Sequence, residues 1–176
     1  MTLAMKAGKY EAASTCLLCA TILKKNLIRL LRFSFAEEAK MQPSQIEAVQ
    51  ASFAKVQPIA DAAAKIFYAR LFEIAPEVKS LFTSDIDEQG RKLMMTLGVV
   101  VNGLTRLDEI VPVAQKLAIR HVDFGVRAEH YRPVGNALLW TLEKGLGDEF
   151  TPEVEAAWSV AYTTLSGVMI SAAYPS

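Results

Sequence analysis

The sequence predicts an all-α protein of seven or eight unequal helices, and three observations carry that reading. From residue 46 onward, apolar residues recur at spacings of three and four in block after block, the period of a helix with one buried face. No stretch alternates apolar with polar side chains as a half-buried strand does. Pro and Gly interrupt the pattern at irregular intervals with no repeat of solenoid length, which also argues against a regular four-helix bundle.

Each element has a local reason. Pro43-Ser44-Gln45-Ile46-Glu47 reads as a capping box with Ser44 as N-cap, and Ile46, Val49, Phe53 and Val56 form the buried stripe of the helix it starts. Pro58 opens a second helix through Ile59, Ala63, Ile66, Phe67 and Leu71 to about Glu73. Pro76 opens a short turn ending at Leu81-Phe82, and residues 83–87 form a polar connection. The next helix, near 88–104, buries Leu93, Leu97, Val100, Val101 and Leu104, with Asn102-Gly103 as its stop signal. Asp108 is the expected cap of a helix that ends at His121, and Phe124-Gly125-Val126 is a turn. A long helix over 128–147 turns Val134, Leu138, Leu142 and Leu146 inward. Thr151-Pro152-Glu153 then supplies an N-cap, a first-turn proline and a favourable charge for the last helix.

A chain of 176 residues suits one domain with a sizeable core. Hydrophobic residues make up 52% of it and mean hydropathy is +0.22, yet no uninterrupted apolar run is long enough to span a bilayer, so a soluble, cytoplasmic protein is expected. Formal charge is zero, with 19 basic and 19 acidic side chains, and no whole-chain field favours nucleic acid.

Residues 1–40 stand apart, carrying seven basic against three acidic side chains. Leu27, Leu30, Leu31 and Phe35 lie at helical spacing beside Arg29 and Arg32. Three readings compete for this extension: a signal peptide, against which Lys24-Lys25 stands where small residues should mark cleavage; a helix touching a membrane surface; and a poorly ordered lead-in to a domain over 41–176, with Met41 as an alternative start. Cys16 and Cys19 have only the spacing of a CxxC motif. Ala20 stands where covalent haem attachment would need a histidine.

The chain has two histidines. His130, between Glu129 and Tyr131, falls in a polar first turn that suits buried chemistry poorly. His121 ends an apolar face formed by Ile110, Ala114, Leu117 and Ala118. A single imidazole below an apolar pocket suits axial ligation of a haem iron, although a lone histidine at a helix end also serves as a cap or as a cation favoured by the helix dipole.

The ordered set Phe67-Tyr68-Ala69-Arg70-Leu71-Phe72, Pro76, Leu81-Phe82, Gln89-Gly90-Arg91-Lys92-Leu93-Met94 and His121 resembles a single-domain bacterial globin from Ser44 to about Ile170. The second half, Leu142 to Gly147 and Phe150 to Trp158, looks most like neuroglobin, and the distal half more like the globin domain of flavohaemoglobins. The resemblance implies a globin fold around haem b, with His121 as the iron ligand and Phe82 against the haem face. It implies Tyr68 and Gln89 as distal hydrogen-bond donors, Leu93 closing the pocket, Lys92 near a propionate and Tyr131 behind His121. A glutamine is a weak iron ligand, so an open sixth position is expected. In flavohaemoglobins a tyrosine and a glutamate polarise the proximal histidine. Tyr131 matches the tyrosine, but the glutamate position falls near Pro175, with no acid close by.

The function expected is reversible oxygen binding for carriage, storage or buffering. One alternative is nitric oxide dioxygenation with a separate reductase, since the sequence given ends at Ser176 without a reductase. Another is a gas sensor whose first forty residues signal to a partner.

Overall fold

The computed structural model describes residues 41–175, and every regular element among them is helical. The α-helices are α1 (Pro43–Val56), α2 (Ala60–Ile74), α3 (Ile86–Asn102), α4 (Leu107–Asp123), α5 (Tyr131–Leu146) and α6 (Pro152–Ala173). Tighter 3-10 segments lie at Gln57–Ile59, Pro76–Leu81, Ala128–His130 and Gly147–Glu149. The all-α class stands. The count of seven or eight falls to six α-helices among the described residues because the short pieces wind as 3-10 turns, which suit runs of a few residues. The readings for residues 1–40, including Cys16, Cys19 and the membrane-surface helix, lie outside the described residues.

Two expected caps are displaced. Ser44 is not the N-cap of α1. Pro43 occupies the first helical position, which favours a residue without an N–H, so the cap moves back to Gln42, whose backbone N–H donates to Gln45 Oε1 at 2.9 Å. Asp108 does not cap α4 either. The helix begins at Leu107 after Arg106, and Asp108 and Glu109 instead place negative charge in its first turn. Thr151 Oγ1 accepts from Val154 N at 3.4 Å as the expected cap of α6, whereas α3 begins at Ile86, ahead of the expected 88, with Asp85 Oδ1 accepting from Glu88 N at 2.9 Å, and Pro58 and Ala128 lie in 3-10 turns that precede α2 and α5.

The helices sort into two groups by what they pack on. α2 lies against both α3 and α5, and α1 against α6, while α4 packs chiefly on α6. The large core includes Val49, Val56 and Leu71, which are almost wholly shielded from solvent. Trp158 Nε1 donates to Ser52 Oγ at 2.9 Å, and the Ser52 hydroxyl donates in turn to Ala48 O at 2.7 Å. This chain joins α6 to α1 without leaving a buried polar group unmet.

A second, smaller cluster holds Ala114, Ala118, Tyr131 and Met169, with Leu117, Leu165 and Tyr174 packed on it. No fully buried residue belongs to both clusters. No described helix is long and apolar enough to cross a membrane.

Candidate functional site

Two glycines set the shape of this region. A Cβ on Gly90 would stand 2.8 Å from Ala64 Cβ, so α2 and α3 cross there at a distance only glycine allows. Ala64 lies one turn before Tyr68, and Gly90 directly follows Gln89, so this crossing sets the two expected distal side chains relative to one another. Gly125 has φ 80°, the left-handed conformation that ends α4 two residues past its last helical position. A Cβ on it would be 3.4 Å from Leu81 Cδ2, which brings the turn after His121 against the segment that carries Phe82.

The side expected to be distal is lined with aromatic rings. Tyr68 is buried, with its ring edge-on to Phe82 at 5.3 Å and to Phe67 at 5.1 Å, and Phe72 completes the group 5.5 Å from Phe82. Such edge-to-face pairs favour fixed ring orientations. Burial pushes the Tyr68 phenol up to about 12, so it remains a protonated donor throughout the neutral range. Its hydroxyl makes no hydrogen bond to another described residue. Gln89 is half-buried, and Leu93, one turn further along α3, packs its half-buried side chain on the large core. Lys92 lies on the exposed side of α3 and binds Glu88 at 2.7 Å, which lowers the Glu88 carboxyl. Any contact with an acidic group of a ligand would compete with that pair.

On the other side, His121 occupies the last turn of α4. Its ring is half-buried, and Nδ1 is shielded from solvent with no hydrogen-bond partner. Exposure therefore falls on the opposite edge of the ring, where Nε2 lies. Burial first, and then the positive charge of Arg120, hold the imidazole below its ordinary pKa. The neutral form is favoured, the form that owns a lone pair. Tyr131 stacks near it, ring centres 6.5 Å apart and tilted 57°, and its hydroxyl is the other buried side-chain atom without a partner among the described residues.

The second histidine does what its sequence position suggests. His130 Nδ1 accepts from the Arg127 backbone N–H at 3.1 Å, which commits it to the turn leading into α5. Among the described residues no cluster of three or more His, Cys, Asp or Glu side chains forms a conventional metal site. A metal here would depend on one imidazole and a group that supplies the remaining ligands.

Two tyrosines that the sequence reading left unassigned complete the support. Tyr162, on α6, donates its hydroxyl to the Tyr131 carbonyl oxygen, and its ring fills the space beside Gly135, where a Cβ would stand 2.5 Å from it. Tyr174, just past α6, donates to the Val126 carbonyl oxygen and so fixes the turn after His121. Both bonds link residues far apart in sequence. Only an aromatic at a helix face or end marks them beforehand.

A family model described as Globin matches residues 65–169. The Flavohemoprotein of Bordetella parapertussis is 30% identical over 133 residues, 74% of this chain and 33% of that protein. The Flavohemoprotein of Rhodopirellula baltica is 35% identical over 107 residues, 59% of this chain and 26% of that protein. The chain thus spans about a third of the length of the curated relatives it matches. Among solved structures, a bacterial globin from Campylobacter jejuni aligns with a TM-score of 0.66 at 27% identity, covering 75% of this chain and 96% of the other.

Proposed function

Because this chain belongs to the globin family, we propose that it holds haem b through His121 and binds oxygen reversibly, with Tyr68 and Gln89 as the side chains that retain the gas. The observation that carries this reading is the state of His121: a half-buried imidazole, held neutral by desolvation, with Nδ1 enclosed and the Nε2 edge outward. That donor fits the one ligand a haem iron asks of its protein. Phe82 and Leu93 pack on the larger apolar cluster and Leu117 on the smaller, and apolar side chains of this kind suit the flat apolar body of such a group.

Haem supplies the iron at which a diatomic gas is taken up. The rest falls to the side chains. His121 gives its Nε2 lone pair and is kept from wandering by the turn at Gly125 and by Tyr131 behind it. Tyr68 offers an O–H and Gln89 an N–H toward a guest that gains partial negative charge, and such charge-assisted bonds slow its escape. Phe82 and Leu93 exclude water from that side. Gln89, a poor iron ligand, leaves room for the guest. Lys92 would meet a propionate only by leaving Glu88, and it contributes least.

Nitric oxide dioxygenation with a separate reductase is the second reading, and it asks for an electron-rich iron supported by a carboxylate behind the histidine. Among the described residues no carboxylate contributes to the His121 environment, where burial and Arg120 act instead. This favours the binding reading. Carriage, storage and buffering share the same chemistry.

Oxygen titration of the haem-loaded protein tests the proposal. Reversible uptake is expected, and Tyr68→Phe should speed oxygen release by about tenfold, the rate equivalent of one good hydrogen bond. Haem loading without oxygen uptake, or a Tyr68→Phe release rate equal to wild type, would remove the distal part of the account.

A further inference from the structure

A cavity of about 400 Å³ opens between the end of α2 and the start of α5, and none of the residues expected to hold haem or gas lines it. Its volume falls in the range of small-molecule sites. Ile74, Ala75 and Pro133 give the lining an apolar part. The rest is polar and carries both signs of charge. Glu77 enters from the first turn of the segment Pro76–Leu81. Arg132 and Asn136 enter from α5, one turn apart and so on one face of that helix.

The neighbouring acids already have partners. Glu73 is taken by Arg70 at 2.8 Å, and Glu129 by Arg127 at 3.5 Å. Glu77 and Arg132 make no ion pair among the described residues, although both line this cavity. An acid and a guanidinium that share a cavity without meeting leave opposite charges facing one space. A guest with a single charge is attracted by one of them and repelled by the other. A guest that carries both signs satisfies both with charge-assisted hydrogen bonds.

The remaining donors gather beside Arg132. His130 Nδ1 accepts from the Arg127 backbone N–H at 3.1 Å, which places the ring proton on Nε2 and makes that nitrogen a donor. The Asn136 side-chain amide supplies another. Arg132 also lies in the first turn of α5, where the helix dipole favours negative charge. We propose that this cavity binds a small zwitterion, a free α-amino acid with an apolar side chain. Its carboxylate is held by Arg132, His130 Nε2 and the Asn136 amide, its ammonium by Glu77, and its side chain lies against Ile74 and Ala75. This site is separate from the haem reading and stands whether or not that reading holds.

Equilibrium dialysis of the full chain against isotope-labelled L-leucine tests it. Saturable uptake is expected. Isocaproate, which is leucine without the ammonium, and isoamylamine, which is leucine without the carboxylate, should each compete about tenfold more weakly than unlabelled leucine, as the loss of one charge-assisted bond requires. Arg132→Gln and Glu77→Gln, both at exposed positions, should each weaken leucine binding by a similar factor. Lys144→Gln, on the same helix but outside the cavity, should leave it unchanged. No saturable uptake overturns the proposal. So does isocaproate that competes as well as leucine, which would make this a plain anion site, or leucine binding unchanged in Arg132→Gln or Glu77→Gln. Should either variant fail to fold, the competition on the wild-type chain decides alone.

Discussion

The two sides of the candidate site are held by different forces. The distal side, with Tyr68, Phe82 and Gln89, is fixed by close packing: a large core, a helix crossing that tolerates no Cβ, and a group of edge-on rings. The proximal side, with His121, rests on a much smaller buried cluster and is tied down by phenol hydroxyls that reach backbone carbonyls, Tyr162 to Tyr131 and Tyr174 to Val126. Packing gives a shape that resists deformation. Hydrogen bonds give direction, which is what an imidazole aimed at one point needs.

The contrast is broken most forcefully in the large core. Leu71, with no exposed surface, should cost about 2–5 kcal/mol as Leu71→Ala, read as a lowered urea midpoint. Oxygen release should quicken through loosened distal packing, while the iron–histidine stretching frequency in resonance Raman stays near wild type. A proximal change as large as the distal one would show that the two sides are one unit.

A smaller and more specific effect is expected at the helix crossing. Gly90→Ala places a methyl 2.8 Å from Ala64 Cβ and should cost about 1–3 kcal/mol by overpacking, partly offset by about 1 kcal/mol of helix propensity. Adding Ala64→Gly to the same chain should restore the oxygen release rate. Failure of that rescue would mean that the crossing does not set the distal geometry.

How much of this was legible in the sequence depends on range. Helix-period stripes such as Ile46, Val49, Phe53 and Val56, and stop signals such as Asn102-Gly103, are local facts and gave the elements. His121 stood out because its apolar face runs down one side of a helix, and His130 was set aside because its neighbours are polar; its bond to the Arg127 N–H agrees with that. The caps expected at Ser44 and Asp108 each lie two residues earlier, at Gln42 and Arg106, because several polar residues close together can each fill that position. Nothing local marks Gly90 as a crossing rather than an ordinary helix glycine. Nor does the sequence tell that Tyr174 reaches Val126 or that Tyr162 reaches Tyr131, since these pairings exist only once α4, α5 and α6 are packed.

The smallest effects are those of pH, and they fall on opposite sides of neutrality. His121 has a folded pKa below its ordinary value near 6.5, so its contribution to the stability of the haem-free protein is complete above about 6.5 and is lost as pH falls toward the folded value. Tyr68 is raised from about 10 to about 12, so its contribution is present below 10 and is lost as pH rises through that window. The acid limb of the urea midpoint should therefore flatten in His121→Leu and the alkaline limb in Tyr68→Phe. Flattening of the wrong limb would contradict the assignment.

The most direct measurement is the visible absorption spectrum of the deoxygenated ferrous protein loaded with haem. A single broad band of five-coordinate iron is expected, lost in His121→Gly and regained when imidazole is added to that variant. A sharp pair of six-coordinate bands in the wild type, or a His121→Gly spectrum identical to it, would contradict an account in which His121 alone holds the iron.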